Sequence, residues 1–120
     1  TPILSGKVDC KITIFSARVG SIADNKLGGW YSYRASKAAM NMLIKSTSIE
    51  LARRAKNIKL ISFHPGTTDS PLSKPFQSNV PKDKLFTSEF VAKQLIDIVD
   101  NMLIDGKASF IDWKGEKILW

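Results

Sequence analysis

Residues 33–63, which read YRASKAAMNMLIKSTSIELARRAKNIKLISF, are the stretch that indicates the fold most clearly, because a predicted helix is followed there by a predicted strand. The first part has apolar side chains at intervals of three and four, which predicts a helix of about six turns over residues 33–54. The cationic pair Arg53 and Arg54 suits the negative end of that helix. Residues 57–63 are short, apolar and β-branched, and they predict a strand. We expect the helix to pack through an apolar side made of Ala35, Ala38, Ala39, Met42, Leu43, Ser46, Ile49 and Ala52.

The same alternation continues on both sides of this helix and strand. Residues 11–16 predict an earlier strand and residues 108–113 a later one. The succession strand, helix, strand, helix, strand predicts an α/β fold, a partial doubly wound (Rossmann-like) parallel sheet with three strands and two main helices. Residues 1–120 then form one domain. The second helix is expected to be capped by Thr87, with Phe90, Val91, Leu95, Ile98, Val99 and Met102 on its apolar side.

Composition narrows the classes of partner. The 18 Lys and Arg residues exceed the 11 Asp and Glu residues, giving a net charge of +7, but the cations are dispersed. We interpret them as a solvated surface that also attracts an anionic, phosphate-bearing cofactor, and no basic stripe suggests a nucleic acid. Cys10 is the only cysteine and His64 the only histidine, so neither a metal site nor an internal disulfide is expected. A reducing compartment such as the cytoplasm is therefore favoured. No apolar stretch reaches the ~20 residues needed to cross a bilayer, so no membrane partner is expected.

Tyr33 and Lys37 are the residues whose spacing suggests chemistry. Four residues apart, they lie on the same side of one helical turn, where an ammonium favours ionisation of a nearby phenol. A free phenol has a pKa near ~10 and needs such help to act as an acid or base near neutral pH. The pair also falls at the carboxyl edge of the predicted sheet, where ligands of doubly wound folds bind.

Other chemically interesting residues have plainer interpretations. His64 follows a predicted strand and precedes Pro65, but a packed or hydrogen-bonded role is favoured over acid–base chemistry. Trp30, Trp113 and Trp120 are consistent with a substrate mouth, yet packing in the core or at a subunit interface is favoured.

Several motifs, in order, resemble one family. They are Tyr33-Arg34-Ala35-Ser36-Lys37, then Pro65-Gly66, and finally the stretch FIDWKG over residues 110–115. Together they span most of the chain, which resembles the short-chain dehydrogenase/reductase family, in particular its sniffer-type carbonyl reductase and C-factor-like branch. This resemblance covers the carboxyl-terminal half of such a protein.

The resemblance implies roles for individual residues. Tyr33 would protonate a substrate carbonyl oxygen, and Lys37 would lower the pKa of Tyr33 and bind the ribose hydroxyls of NAD or NADP, with NADP slightly favoured. The substrate would be a small carbonyl compound, reduced to an alcohol, and residues 67–77 would form a mobile lid over it. The carboxamide end of the cofactor would be held by Pro65, Gly66, the backbone of Thr68 and the hydroxyl of Ser70.

The sequence departs from the family pattern at the catalytic serine. The pattern Ser-Ser-x-x-Gly falls on residues 16–20, which puts Ala17 where the hydroxyl is usual. Ser16 and Ser21 remain as candidates, and Ser21 is weakly preferred because Ser16 would face away from the side of Ala17. A strand-end hydroxyl bonded to the backbone is the alternative role for Ser16.

A larger departure is the lack of a glycine-rich phosphate turn. The chain is therefore expected to be the carboxyl-terminal part of a Rossmann-like domain, inactive by itself because the pyrophosphate has no binding turn. An exposed edge strand predicts a homo-oligomer. Two alternatives remain: a non-enzymatic binding or signalling module, favoured by Ala17, and a stand-alone flavodoxin-like domain, which would need a phosphate turn.

Overall fold

Three parallel strands form the main sheet: β1 (Cys10–Phe15), β2 (Ile58–His64) and β5 (Ser109–Asp112). Their order across the sheet is β1-β2-β5. The structure is a computed structural model that describes residues 3–120, so Thr1 and Pro2 lie outside the described residues. The two main helices are α1 (Tyr31–Arg54) and α2 (Ser88–Asp100), and a small parallel pair consists of β3 (Thr67–Thr68) and β4 (Leu85–Phe86).

The middle strand β2 is buried from Ile58 to Phe63, so both faces of the sheet must be covered. Ile58 and Leu60 pack with residues of α1 on one face, and Ile61 and Phe63 pack with residues of α2 on the other. Parallel neighbours need crossover connections, and here the helices supply them on opposite faces. The predicted partial doubly wound sheet is confirmed.

The side of α1 that meets the sheet differs from the predicted one. Asn41, Ile44, Ser48 and Leu51 are buried, whereas Leu43 is 68% exposed. The predicted apolar side was wrong because α1 has small or apolar residues nearly all round, so periodicity alone does not select a face. Its outer face carries the exposed apolar side chains of Met42, Leu43 and Ile49.

Helix α2 follows its sequence prediction more closely. The Thr87 hydroxyl accepts a hydrogen bond from the backbone of Phe90 at 3.1 Å, which confirms the predicted cap. Val91 is buried against the sheet, while Leu95 and Ile98 are partly buried beside it. Within residues 3–120, neither helix has the length and apolar character required for a membrane span.

Two lysines on the α2 face of the sheet hold the end of that helix and the loop that follows it. The register pairs Lys11 of β1 with Lys59 of β2, so both side chains point the same way. The Lys11 ammonium donates to the carbonyl of Val99 at 2.6 Å, where the helix end is negative. The Lys59 side chain is 1% exposed, and its ammonium lies 2.6 Å from a carboxylate oxygen of Asp105. These two cations are structural, which corrects their interpretation as part of a solvated surface.

The pair formed by Lys59 and Asp105 is expected to contribute measurably to stability. Burial acts to raise the pKa of Asp105, but the Lys59 hydrogen bond and the backbone of Lys107 bring it below its ordinary value. Asp105→Ala leaves a buried ammonium short of one partner and should cost about 2 kcal/mol in urea unfolding. Glu50→Ala is the matched control, because Glu50 pairs with Arg54 on the surface and should cost under about 0.5 kcal/mol. Equal costs for the two variants would contradict this role of Lys59.

Candidate active site

The carboxyl ends of the three main strands are tied together by a polar network. Arg18, just after β1, reaches Asp112 at the end of β5 with a nitrogen-to-oxygen distance of 2.9 Å. The Arg18 backbone N–H donates to Nδ1 of His64, at the end of β2, at 3.0 Å. The buried Asp112 carboxylate also accepts from the backbone N–H groups of Lys114 and Glu116. The loops that border the predicted ligand edge are thereby fixed to one another.

Tyr33 and Lys37 lie on the first two turns of α1, beside this edge. The Lys37 ammonium is 5.9 Å from the centroid of the Tyr33 ring, so the two side chains share one side of the helix. Tyr33 is 42% exposed, which leaves its ring accessible from outside. The structure thus brings together the two residues that the spacing predicts to act together.

Gly20 explains how the loop after β1 approaches α1. A Cβ atom at Gly20 would lie 2.8 Å from the carbonyl carbon and the Cβ of Lys37. Any other residue would push the loop away from the helix at that point. The glycine of the pattern over residues 16–20 is therefore required by the close packing of this loop against the Lys37 backbone.

Asn41 was not predicted as a site residue, yet it anchors this part of α1. Its Oδ1 accepts hydrogen bonds from the hydroxyls of Ser16 and Ser62, both at 2.8 Å, and all three residues are buried. Its Nδ2 is buried with no partner among residues 3–120. The spacing of four from Tyr33 to Lys37 and again to Asn41 was the signal in the sequence that pointed to a shared face.

The two candidate serines have different surroundings. The Ser16 hydroxyl donates to Asn41, not to the backbone. The buried Ser21 hydroxyl donates to the carbonyl of Leu119 and accepts from the backbone N–H of Asp24 at 3.0 Å. Within residues 3–120 no hydrogen bond joins either hydroxyl to Tyr33, so the choice between them stays a prediction.

The turn after β2 carries the residues predicted to hold a cofactor. Gly66 has a φ of 75°, and a Cβ there would lie 2.6 Å from the Phe86 ring, so packing alone requires glycine. The Thr68 hydroxyl is buried and has no hydrogen-bond partner among the described residues. Such a hydroxyl fits a ligand that presents an amide, as the nicotinamide carboxamide does.

The segment after this turn is short of buried contacts. Its 3-10 helix, Lys74–Asn79, contains no buried residue. Asp69 accepts from Gln77 at 3.0 Å and pairs with Lys74 at 3.3 Å. The hydrogen bond from Gln77, followed by the contacts from Lys74, lowers the pKa of Asp69. The start of the segment over residues 67–77 is paired with β4, whereas its 3-10 helix is held by polar contacts and buries no side chain.

The three tryptophans divide between the core and the site. Trp113 packs on Phe86 with ring centroids 4.4 Å apart, and Trp120 packs on Phe110 at 5.3 Å. Trp30, by contrast, is 58% exposed and lies beside Tyr33.

Comparison with known proteins identifies the family. The model of the short chain dehydrogenase family matches residues 15–81, more than half of the chain. The chain belongs to this family.

Individual relatives show how much of such a protein is present. A 1-hydroxy-2-glutathionyl-2-methyl-3-butene dehydrogenase from Rhodococcus sp. (strain AD45) is 34% identical over 110 residues, covering 92% of this chain and 46% of that protein. C-signal from Myxococcus xanthus is 27% identical, over 92% of this chain and 61% of its own length. The chain therefore spans roughly half the length of these relatives.

Solved structures agree in fold. The NADPH-bound carbonyl reductase from chicken fatty liver matches with a TM-score of 0.75 and 26% identity, over 92% of this chain and 42% of that one. Carbonyl reductase Sniffer of D. melanogaster matches with a TM-score of 0.75 and 25% identity, over 92% of this chain and 41% of its own.

The polar network makes stability dependent on pH through His64. Burial, and then the positive charge of Arg18, lower the pKa of His64 from 6.5 to about 4. Between pH 6.5 and about 4, His64 is protonated in the unfolded chain but neutral in the folded chain. The free energy of unfolding therefore falls as the pH drops through this range. The loss should approach about 3 kcal/mol in urea unfolding. His64→Asn, which keeps an acceptor for the Arg18 N–H, should remove most of this slope, and an unchanged slope would contradict the assignment.

Proposed function

We propose that this chain is the carboxyl-terminal, catalytic part of an NAD(P)-dependent short-chain reductase that converts a carbonyl group into an alcohol. The observation that carries the proposal is the placement of Tyr33 and Lys37 on one side of α1, at the carboxyl edge of a parallel sheet. Membership of the short chain dehydrogenase family and the likeness to carbonyl reductases support it.

Tyr33 acts as the proton donor. Its hydroxyl protonates the substrate oxygen as negative charge develops there, and the Lys37 ammonium stabilises the phenolate that remains. When bound, the nicotinamide would supply the hydride. Lys37 would also donate a hydrogen bond to a ribose hydroxyl of the bound cofactor. The partial exposure of Tyr33 gives a substrate access to the phenol.

The turn after β2 would hold the carboxamide of a bound nicotinamide. Pro65 and Gly66 shape that turn, and the backbone of Thr68 and the hydroxyl of Ser70 would offer hydrogen-bonding groups to it. The buried Thr68 hydroxyl, which has no partner among the described residues, marks a polar group left to pair at this turn. NADP is slightly preferred over NAD, which the NADPH bound to the chicken reductase and the net charge of +7 support.

A serine hydroxyl orients the substrate carbonyl beside Tyr33. Ser21 is our preferred candidate and Ser16 the other, since Ala17 cannot donate. The Ser21 hydroxyl would have to leave the Leu119 carbonyl to do so, and the Ser16 hydroxyl would have to leave Asn41. No metal takes part in this scheme.

Catalysis requires an amino-terminal, dinucleotide-binding half in addition to residues 1–120. The chain spans 46% of its dehydrogenase relative, and its sequence contains no glycine-rich phosphate turn. Within the described residues β1 pairs only with β2, so its other edge is free to continue the sheet. The 120 residues alone are accordingly inactive. We place the protein in the cytoplasm, in keeping with its single free thiol at Cys10.

Self-association through the outer face of α1 is expected, because Met42, Leu43 and Ile49 expose an apolar surface there. Light scattering after size exclusion should give at least twice the mass of one chain. Leu43→Glu should shift the chain towards monomer, while Ile96→Glu, on the outer side of α2, should leave its size unchanged. A stable wild-type monomer would count against the proposal.

A non-enzymatic binding or signalling module is the second candidate function. It is favoured by Ala17, which is buried at the position where the family pattern has a serine. The similarity to C-signal from Myxococcus xanthus adds to it. Such a protein would bind NADPH without turning over a carbonyl compound.

Replacement of the proton donor tests the enzymatic proposal. In the complete polypeptide that contains this chain, Tyr33→Phe should reduce carbonyl reduction roughly 100-fold or more, since positioned acids contribute on that scale. NADPH binding should persist, because the phenyl ring remains. Oxidation of NADPH is followed by its absorbance, and cofactor affinity is measured by titration.

Tyr31→Phe is the matched control for this experiment. Tyr31 is the only other tyrosine, lies two residues away and is 86% exposed, so its loss of a hydroxyl should leave turnover unchanged. Equal turnover in wild type and Tyr33→Phe would refute the assigned proton donor. Bound NADPH with no turnover in the wild type or in either variant would favour the binding module.

A further inference from the structure

Three aromatic rings from two segments meet at the site, and one of them belongs to the proposed proton donor, Tyr33. The Trp30 ring centroid lies 6.2 Å from that of Tyr33 and 5.8 Å from that of Phe76, which belongs to the segment after β3. All three side chains are exposed to a substantial degree, at 58% for Trp30, 42% for Tyr33 and 57% for Phe76. Rings that stay this exposed add little to the core, so their meeting needs another explanation.

Trp30 is held in an unusual backbone conformation. It has a φ of 54°, the only non-glycine residue with a positive φ within residues 3–120. It follows Gly28 and Gly29, which each have a φ of 70°. A bulky residue in the left-handed region is disfavoured, and such conformations concentrate at functional sites.

Arg34 fixes this turn from the first part of α1. Its guanidinium donates to the carbonyls of Gly28 at 3.1 Å and Gly29 at 3.0 Å. A third hydrogen bond, at 3.4 Å, reaches the carbonyl of Val19 in the loop after β1. One planar side chain thus ties the turn that carries Trp30 to the site.

Phe76 approaches from a segment that is held less firmly. Its 3-10 helix buries no residue, and its links to Asp69 are exposed polar contacts. Segments with few buried contacts open at low cost. The contact between Trp30 and Phe76 can therefore separate to admit a ligand, with Trp30 as the fixed side.

We propose that Trp30 and Phe76 form the subsite for an aromatic ring on the carbonyl substrate, with Arg34 as the positioning residue for Trp30. This inference rests on the proposed reductase function. A carbonyl held at the Tyr33 hydroxyl would carry one substituent near Trp30, because the two rings lie 6.2 Å apart and the Trp30 side chain is 58% exposed. The favoured substrates are then aryl ketones and aryl aldehydes, because a flat ring stacks on the indole better than an alkyl group of equal size.

Indole resonances test this in the full chain without any turnover. The side-chain N–H signals of Trp30, Trp113 and Trp120 in the ¹⁵N-labelled complete protein are followed during titration with acetophenone and, separately, with cyclohexyl methyl ketone. The Trp30 signal, assigned with Trp30→Phe, should shift saturably with acetophenone. Affinity should be roughly three- to tenfold higher than for the cyclohexyl ketone, the range of one aromatic pair. Trp113 and Trp120 serve as internal references, since both pack on other rings.

Variants assign the effect to the proposed residues. Phe76→Ala should abolish the preference for the aryl ketone, whereas Tyr31→Ala, which removes an exposed neighbouring ring, should keep it. Arg34→Ala should lower the aryl-to-alkyl affinity ratio, and Arg34→Lys should restore part of it, because an ammonium can still reach one carbonyl. A loss of stability alone would not change this ratio.

Three results would overturn the inference. They are an unshifted Trp30 signal, equal affinities for the two ketones, and a Trp30 signal that responds only to protein concentration, which would make Trp30 part of an interface between copies. The test is separate from that of the reductase proposal. Tyr33→Phe should keep the preference for the aryl ketone. Ligand binding without turnover would therefore contradict Tyr33 as the proton donor but would leave the assignment of the subsite intact.

Discussion

The burial of β2 from Ile58 to Phe63 is the constraint on which the rest of this structure depends. A strand enclosed on both faces requires a helix above and a helix below, and its parallel neighbours place all three carboxyl ends at one edge. The segments that follow β1, β2 and β5 all leave the sheet at this edge, next to Arg18, His64 and Trp113. The hydrogen bonds of Arg18 to Asp112 and His64 then hold those exits together. The packing of the core thus places the carboxyl ends of the strands, where a ligand is expected, at one edge of the sheet.

The rotation of α1 is set by polar contacts within this core. Asn41 must face the sheet because the hydroxyls of Ser16 and Ser62 both donate to it, and a buried hydroxyl without a partner costs about 1–3 kcal/mol. Residues one and two turns earlier on the same row are Lys37 and Tyr33. The contact that orients the helix thereby also orients the pair proposed to act on a substrate.

Local patterns predicted the elements well because they depend on neighbours along the chain. The strand at residues 57–63, the cap at Thr87 and the pairing of Tyr33 with Lys37 all follow from spacing or residue type. The face of α1 did not, because its apolar residues surround the helix and the deciding partners, Ser16 and Ser62, come from distant strands. The structural roles of Lys11 and Lys59 were equally hidden, since a lysine in a strand pattern does not show what its ammonium will reach.

A crystal structure of the complete protein with bound NADPH tests the central claim most directly. The Tyr33 hydroxyl should point into the cleft beside the nicotinamide, with the Lys37 ammonium within hydrogen-bonding distance of a ribose hydroxyl. Divergent directions for these two side chains, or a phenol closed off from the cofactor, would contradict the account.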